Sequence, residues 1–286
     1  MALQTLYRSG SKAGIPPRTV AKDRPKRDTV KGWTRAAARR NAEFLMSVRE
    51  CDLQGRAYAV TLTTLEVPPP KEWAELRRKW IQRQDRRGLI RLHWVTEWTA
   101  AGRPHMHCMA YYDPDYPKPP QPLQDWLDLT RHLGTKILGQ HQTPVHNATG
   151  WMQYTAKHAA RGVSHYQRNS QNIPEAWKGG TGRLWGYRGE WPRDEAVRIE
   201  TTDEAFYAYR RMVRNWRKAD ARKARDWKRL TRAREMLRDN DQARSRIRGI
   251  MEWITFEDSL QLLKLASSNH PPSETSPSQS RHATAA

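Results

Sequence analysis

A chain with so few aliphatic side chains can fold only where its aromatic residues lie. Leu, Ile, Val and Phe together number 43 of 286 residues, about 15% and below the roughly 20% at which a strongly charged chain is expected to stay disordered. Against that stand 13 Trp and 10 Tyr, and each such ring can bury roughly 150–250 Å². The balance allows a core for part of the chain. One folded domain of roughly 150 residues with basic extensions is expected, rather than two full domains.

Charge points to the same division. The net charge is +21, but residues 1–40 carry +9, residues 41–200 only +5, residues 201–250 again +9, and the last 36 residues −2. Segment by segment, the expectation is a disordered basic arm over 1–40, a folded domain over 41–200, a basic helical extension over 201–265 and a Ser/Pro-rich disordered tail over 266–286. No run of about 18 apolar residues predicts a membrane span, and MALQTLYRSGSK lacks the apolar stretch of a signal peptide. Cys51 and Cys108 are too few for a disulfide framework or a four-cysteine zinc site, so the chain reads as cytosolic and reduced. A balance this basic points to a polyanionic partner, with nucleic acid the first candidate.

Within the middle segment, Tyr58–Thr64 (YAVTLTT) has the β-branched and aromatic content of a strand and ends at Pro68-Pro69-Pro70. Trp73, Leu76, Trp80, Ile81 and Gln84 fall at helical spacing before Gly88. Leu89–Thr99 and His105–Tyr112 read as hairpin partners around a turn at Ala101–Pro104. A second amphipathic helix is marked by Leu123, Trp126, Leu127, Thr130, Leu133 and Ile137. A third runs from Thr149 to Gly162, and Arg183–Trp191 gives a last strand. The expected fold is α+β: a central antiparallel sheet with flanking helices. From Asp203 to about Arg248 follows a long polar helical stretch anchored at Phe206, Val213, Trp216, Trp227, Leu230 and Leu237.

The hairpin carries the chemistry. His105 and His107 are two apart on a strand, so both imidazoles share one face, while Met106 and Cys108 take the other. With an odd loop such as Ala101–Arg103, Glu97 falls opposite His107 on that same face; an even loop would reverse it. Two imidazoles and a carboxylate make a three-ligand site with open positions, suited to a divalent metal that must also bind substrate. Further on, Tyr154 and Lys157 stand at i and i+3 on the third helix and share its face. A tyrosine hydroxyl, with an ordinary pKa near 10, needs neighbouring positive charge to act as a nucleophile. Alone, each pattern also fits a packing role; the order of strand, His-X-His hairpin and Tyr-X-X-Lys helix on a basic chain is the stronger signal.

That order resembles the HUH endonuclease superfamily, specifically the single-tyrosine rolling-circle replication initiators of small phages and plasmids. Val60–Thr64 matches the first motif, His105-Met106-His107 with Gly102-Arg103-Pro104 before it the second, and Tyr154 to Lys157 the third. Trp185-Gly186 resembles a downstream element of some members, and the likeness covers roughly residues 55–190. The resemblance implies that Glu97, His105 and His107 hold Mg²⁺ or Mn²⁺, and that Tyr154 nicks single-stranded origin DNA, leaving a 5′-phosphotyrosine. Lys157 would orient the phosphate or offset phenolate charge. It further implies a bacterial host cytoplasm and a 3′-hydroxyl that host polymerase extends. With no GxxxxGK[ST] loop in the chain, a host helicase is expected. The position four after Tyr154 holds His158 where some initiators carry a second tyrosine, which favours one nucleophile. A transposase or relaxase with the same chemistry, and a non-catalytic nucleic-acid-binding protein, stay open as alternatives.

Overall fold

The computed structural model describes residues 1–14, 29–146, 150, 152, 167–235 and 250–268. The chain divides into two compact units, one of Tyr7–Ser9 and Ala21–Glu195, the other of Met1–Leu6, Gly10–Val20 and Ala196–Ala286. Strands and helices are numbered in chain order. The strands are β1 (Ala2–Tyr7), β2 (Gly10–Gly14), β3 (Arg56–Thr63), β4 (Leu89–Trp98), β5 (Pro104–Tyr112), β6 (His141–Pro144), β7 (Trp185–Arg188), β8 (Val197–Thr201) and β9 (Ile250–Glu252). The helices are α1 (Arg35–Ser47), α2 (Pro70–Asp85), α3 (Pro122–Thr130), α4 (Asp203–Lys223), α5 (Trp227–Glu235) and α6 (Phe256–Ser268). The protein is α+β, with two antiparallel sheets.

The larger unit is organised on a five-stranded sheet in the order β6-β3-β5-β4-β7. Alternation along β3, β4 and β5 sends Val60, Leu62, Leu92, Trp94, Trp98, Met106, Cys108 and Tyr112 into one hydrophobic core. Helix α2 begins at Pro70, tolerated there because a first-turn N–H has no helical partner. It buries Trp73, Leu76, Trp80 and Gln84 in a stripe at helical spacing. The scarcity of aliphatics is made good by tryptophan. Trp73 meets Trp126 edge to face at 5.4 Å, and Trp177 meets Trp98 the same way at 5.9 Å. The buried indole N–H groups find backbone acceptors: Trp80 donates to Pro122 O (2.9 Å), Trp126 to Thr63 O (2.9 Å) and Trp177 to Pro68 O (2.7 Å). These bonds tie helices and loops to the sheet as well as filling space.

On the opposite sheet face, α1 starts at Thr34, whose side chain accepts from Ala37 N, and lays Phe44 against His93 and Tyr187. His93 is fully buried, with Nε2 2.8 Å from Asn41 Oδ1.

Several sequence expectations need correction. Ala2–Tyr7 and Gly10–Gly14, assigned to a disordered arm, are strands in a four-stranded sheet ordered β8-β1-β2-β9. They neighbour each other, but their outer partners lie about 190–240 residues away in the chain; Ala2, Leu6 and Ala13 are buried, and Ser11 Oγ sits 2.6 Å from Tyr209 OH. Arg35–Ser47 within and beyond the same arm is helix α1. The extension over 201–265, expected to be helical, also contributes β9 to this sheet. Its long helix is two helices, because Arg225 takes a left-handed φ of 49° and Asp226 Oδ1 then caps α5 by accepting from Arg229 N. Phe206, Val213 and Leu230 are buried as expected, but Trp216 and Trp227 are exposed; Leu237 lies outside the described residues. The helix expected over Leu123–Ile137 ends at Thr130, and a following 3₁₀ turn stops at the left-handed Gly134. The last strand is confined to Trp185–Arg188, and the Thr149–Gly162 helix lies outside the described residues. No helix among the described residues is long and apolar enough to cross a membrane.

The packing sets two expectations for stability. Trp177→Phe strips Pro68 O of its indole donor and should cost about 1–3 kcal/mol in urea denaturation, whereas Trp177→Ala should cost about 3–5 kcal/mol. Burial, with Arg168 adding to it, lowers the His93 pKa to about 3. Its neutral form is therefore the folded form. Its stabilising share is complete above pH 6.5 and is lost as pH falls below that, reaching about 2 kcal/mol at pH 5. Replacing it, as in His93→Asn, should flatten the pH dependence of unfolding between pH 7 and pH 5 by about one proton.

Candidate metal centre

Hairpin geometry sets the site. Thr99 N donates to Arg103 O (2.9 Å), and Gly102 N donates to Thr99 O (2.9 Å), closing a three-residue loop over Ala100–Gly102. Gly102 adopts φ +72°, where a residue with a Cβ is strained. The loop is odd, as expected, but sits one residue earlier than Ala101–Arg103. The register is thereby Glu97 opposite His105 and Val95 opposite His107, correcting the expected Glu97–His107 pairing by two positions while keeping all three ligand candidates on one face. On the other flank of β5, Thr63 faces His105 and Thr61 faces His107.

These three side chains converge. Glu97, His105 and His107 are buried, and each offers a ligand atom within 4.8 Å of the others. His105 Nε2 and His107 Nε2 are 2.9 Å apart, and Glu97 Oε2 lies 3.9 Å from His107 Nε2. Two nitrogens at that separation, each about 2.1 Å from a common ion, would subtend about 90°, so the donor set fits a divalent metal. The imidazole–carboxylate chemistry suits several such ions and does not select one. His107 Nδ1 lies 2.9 Å from Thr61 Oγ1. When Nε2 is the ligating atom, the proton sits on Nδ1 and is donated to that hydroxyl, which fixes tautomer and ring angle.

A second set of residues supports the first. Trp98 N donates to Gln167 O (3.0 Å), an extra rung that brings the 167–168 segment alongside the end of β4. Gln167 Nε2 then lies 3.3 Å from His105 Nε2, and Arg168 Nε donates to Glu97 Oε1 at 2.5 Å. Both members of that ion pair are wholly buried. Burial lowers the Arg168 pKa, and the Glu97 carboxylate opposes the shift. The guanidinium also stacks 4.1 Å from the Trp33 ring, whose Nε1 donates to Thr96 O (2.9 Å). Glu97 thus has one oxygen committed to Arg168 and the other turned toward the histidines.

Thr61, Gln167, Arg168 and Trp33 went unnoticed at the level of sequence. Thr61 carried a usable signal, being at matching parity inside the first strand motif. Arg168 carried none, as one basic residue among 51 Lys and Arg. Of the remaining expected elements, Trp185 faces Val95 across β7 and β4, and a Cβ at Gly186 would come within 2.9 Å of the Trp94 ring. That glycine lets β7 lie flat against the tryptophan, over which Arg77 stacks at 3.9 Å. Tyr154, Lys157 and His158 lie outside the described residues.

Comparison with known proteins adds an independent line. The chain is 46% identical over 264 residues to a protein of Xylella fastidiosa strain 9a5c named as a replication protein, covering 90% of this chain and 93% of the relative. It is also 42% identical over 240 residues to a replication-associated protein of Pseudomonas phage Pf3, covering 83% of this chain and 86% of the relative. The chain belongs to this family of phage and plasmid replication proteins. No protein-family model and no solved structure matches the chain. For a replication protein, the buried Glu97–His105–His107 group is the part of the described fold equipped to hold a metal ion.

The second-layer contact gives a testable consequence. Thr61→Val keeps shape but removes the acceptor for His107 Nδ1, and should weaken Mn²⁺ binding by about 10-fold, as measured by calorimetric titration of the full chain.

Proposed function

We propose that this replication protein nicks and rejoins single-stranded origin DNA through a transient bond to Tyr154, and so starts rolling-circle synthesis. The observation that carries this reading is the convergence of Glu97, His105 and His107 on one hairpin face, in a chain similar to a phage replication-associated protein. The downstream Tyr154-X-X-Lys157 pattern completes the set.

In this reading, Glu97, His105 and His107 hold one Mg²⁺ or Mn²⁺ ion, which when bound would polarise the scissile phosphodiester. Thr61 and Arg168 hold His107 and Glu97 in place for that role. Tyr154 Oη attacks phosphorus, the bond from phosphorus to the 3′-oxygen breaks, and the phenolic proton is given up. The strand is left with a 5′-phosphotyrosine and a free 3′-hydroxyl, the proton balance being closed at the leaving oxygen. Lys157, three residues on in the sequence, offsets the charge of the attacking phenolate. Because the ester keeps the bond energy of the phosphodiester, a 3′-hydroxyl can later reverse the transfer without a nucleotide cofactor. Host polymerase would extend the free end, with a host helicase opening the duplex. Cytoplasmic action in a bacterial host goes with this reading.

The test is a denaturing gel. Full-length protein incubated with single-stranded origin oligonucleotides and Mg²⁺ or Mn²⁺ should give a covalent protein–DNA adduct. Tyr154→Phe should abolish it, and His105→Ala or His107→Ala should lower its rate at least about 100-fold. An adduct that survives in Tyr154→Phe would overturn the assignment of the nucleophile.

A further inference from the structure

A cavity of about 560 Å³ opens in the larger unit between the start of α1 and the 168–185 segment, lined among others by Lys31, Trp33, Arg40, Arg168, Arg183 and Trp185. Its position is set by the sheet. Trp185 faces Val95, and Val95 faces His107, so Trp185 stands on the face of the sheet that carries the metal-ligand candidates. Arg168 joins the two places physically, since its Nε is bonded to Glu97 while the residue forms part of the cavity wall.

Three features give this cavity a chemical preference. Among the described residues, four cationic ones line it and no Asp or Glu does. Arg168, although wholly buried, has no hydrogen-bond partner among the described residues at Nη1 or Nη2. Those two nitrogens are themselves shielded from solvent, so the guanidinium gives the cavity wall a positive charge rather than free donors. Finally, Trp185 is half-buried at the wall, offering an indole beside the cations. Charge with an aromatic platform is the combination that recognises single-stranded nucleic acid. The volume lies within the roughly 300–1,000 Å³ range of small-ligand pockets, room for one nucleotide.

We propose that this cavity binds one nucleotide of the single-stranded DNA, its phosphate held by the exposed Arg40, Lys31 and Arg183 in the field of the buried Arg168 charge, and its base against Trp185. The inference rests on the nicking function proposed above, and it deepens that function by naming where the strand is gripped beside the metal centre. One guanidinium then serves both ends: its Nε positions Glu97, and its buried charge favours an anionic occupant. Arg168 is a positioning residue for the chemistry and a charge behind the strand site.

The experiment measures binding without cutting. In EDTA, fluorescence anisotropy of a single-stranded oligonucleotide is followed with the full chain and with the exposed-residue variants Arg40→Glu and Arg183→Glu. Each should weaken binding at least about 10-fold and flatten the salt dependence of log K by about 0.7, the value of one phosphate contact on a single strand. Arg86→Glu, exposed at the end of α2 and not among the cavity's lining residues, should change affinity less than about 2-fold. If the cavity variants behave like Arg86→Glu, the cavity does not hold the strand, whatever the adduct assay gives. On the wild-type chain, a deoxynucleoside monophosphate should displace the oligonucleotide at concentrations where inorganic phosphate does not. Equal competition by both would reduce the cavity to a plain anion site and overturn the nucleotide assignment. A chain that binds as predicted but forms no Tyr154 adduct would instead sink the catalytic reading and leave the cavity standing.

Discussion

A carboxylate with no exposure to solvent must be paired, and the pairing of Glu97 with Arg168 is the constraint around which the Glu97–His105–His107 face is arranged. Removing either partner alone leaves an uncompensated buried charge, a change that typically costs about 3–5 kcal/mol. The pair also spans the chain. It links the end of β4 to the segment after residue 166, and through the Arg168–Trp33 stack to the approach to α1. Three stretches distant in sequence are thereby held at one point, and that point is the candidate metal centre.

The rest of the larger unit answers the shortage of aliphatic side chains with indoles that do two things at once. Each buried ring fills the volume of more than one aliphatic residue, and each N–H among Trp80, Trp126 and Trp177 anchors a backbone carbonyl of another element. A leucine-rich core of equal volume would slide more freely against its neighbours. Here the directional bonds set how α2, α3 and the loop at Pro68 lie on the sheet, and so they hold β3 with its Thr61 and Thr63 against β5.

Much of this was legible in the sequence wherever short-range periodicity carried it. The strands β3, β4 and β5, helix α2 and the shared face of His105 and His107 follow from alternation and helical spacing alone, and Glu97 joins that face because the loop is odd. The partner of Glu97 was mistaken because parity fixes the face, while the turn chemistry of Thr99 and Gly102 fixes the register. What long-range pairing decides was not legible. Nothing near Ala2–Tyr7 indicates that Val197–Thr201 will pair with it, and nothing near Arg168 marks it as an arginine to be buried against a carboxylate. Tyr154 and Lys157 were read from spacing and likeness, and they stand as proposed roles.

The three-residue loop at Ala100–Gly102 has a consequence for how this protein can change over generations. Because side chains alternate, the face to which Glu97 points depends on whether the count between the strands is odd or even. Substitutions within the loop leave that parity untouched, apart from the strain at Gly102. A single-residue insertion or deletion would turn Glu97 away from the two histidines and carry Trp98 and Thr96 out of the core. Length variants here should therefore survive only in steps of two. The tip of the hairpin is free to drift in identity and is locked in arithmetic.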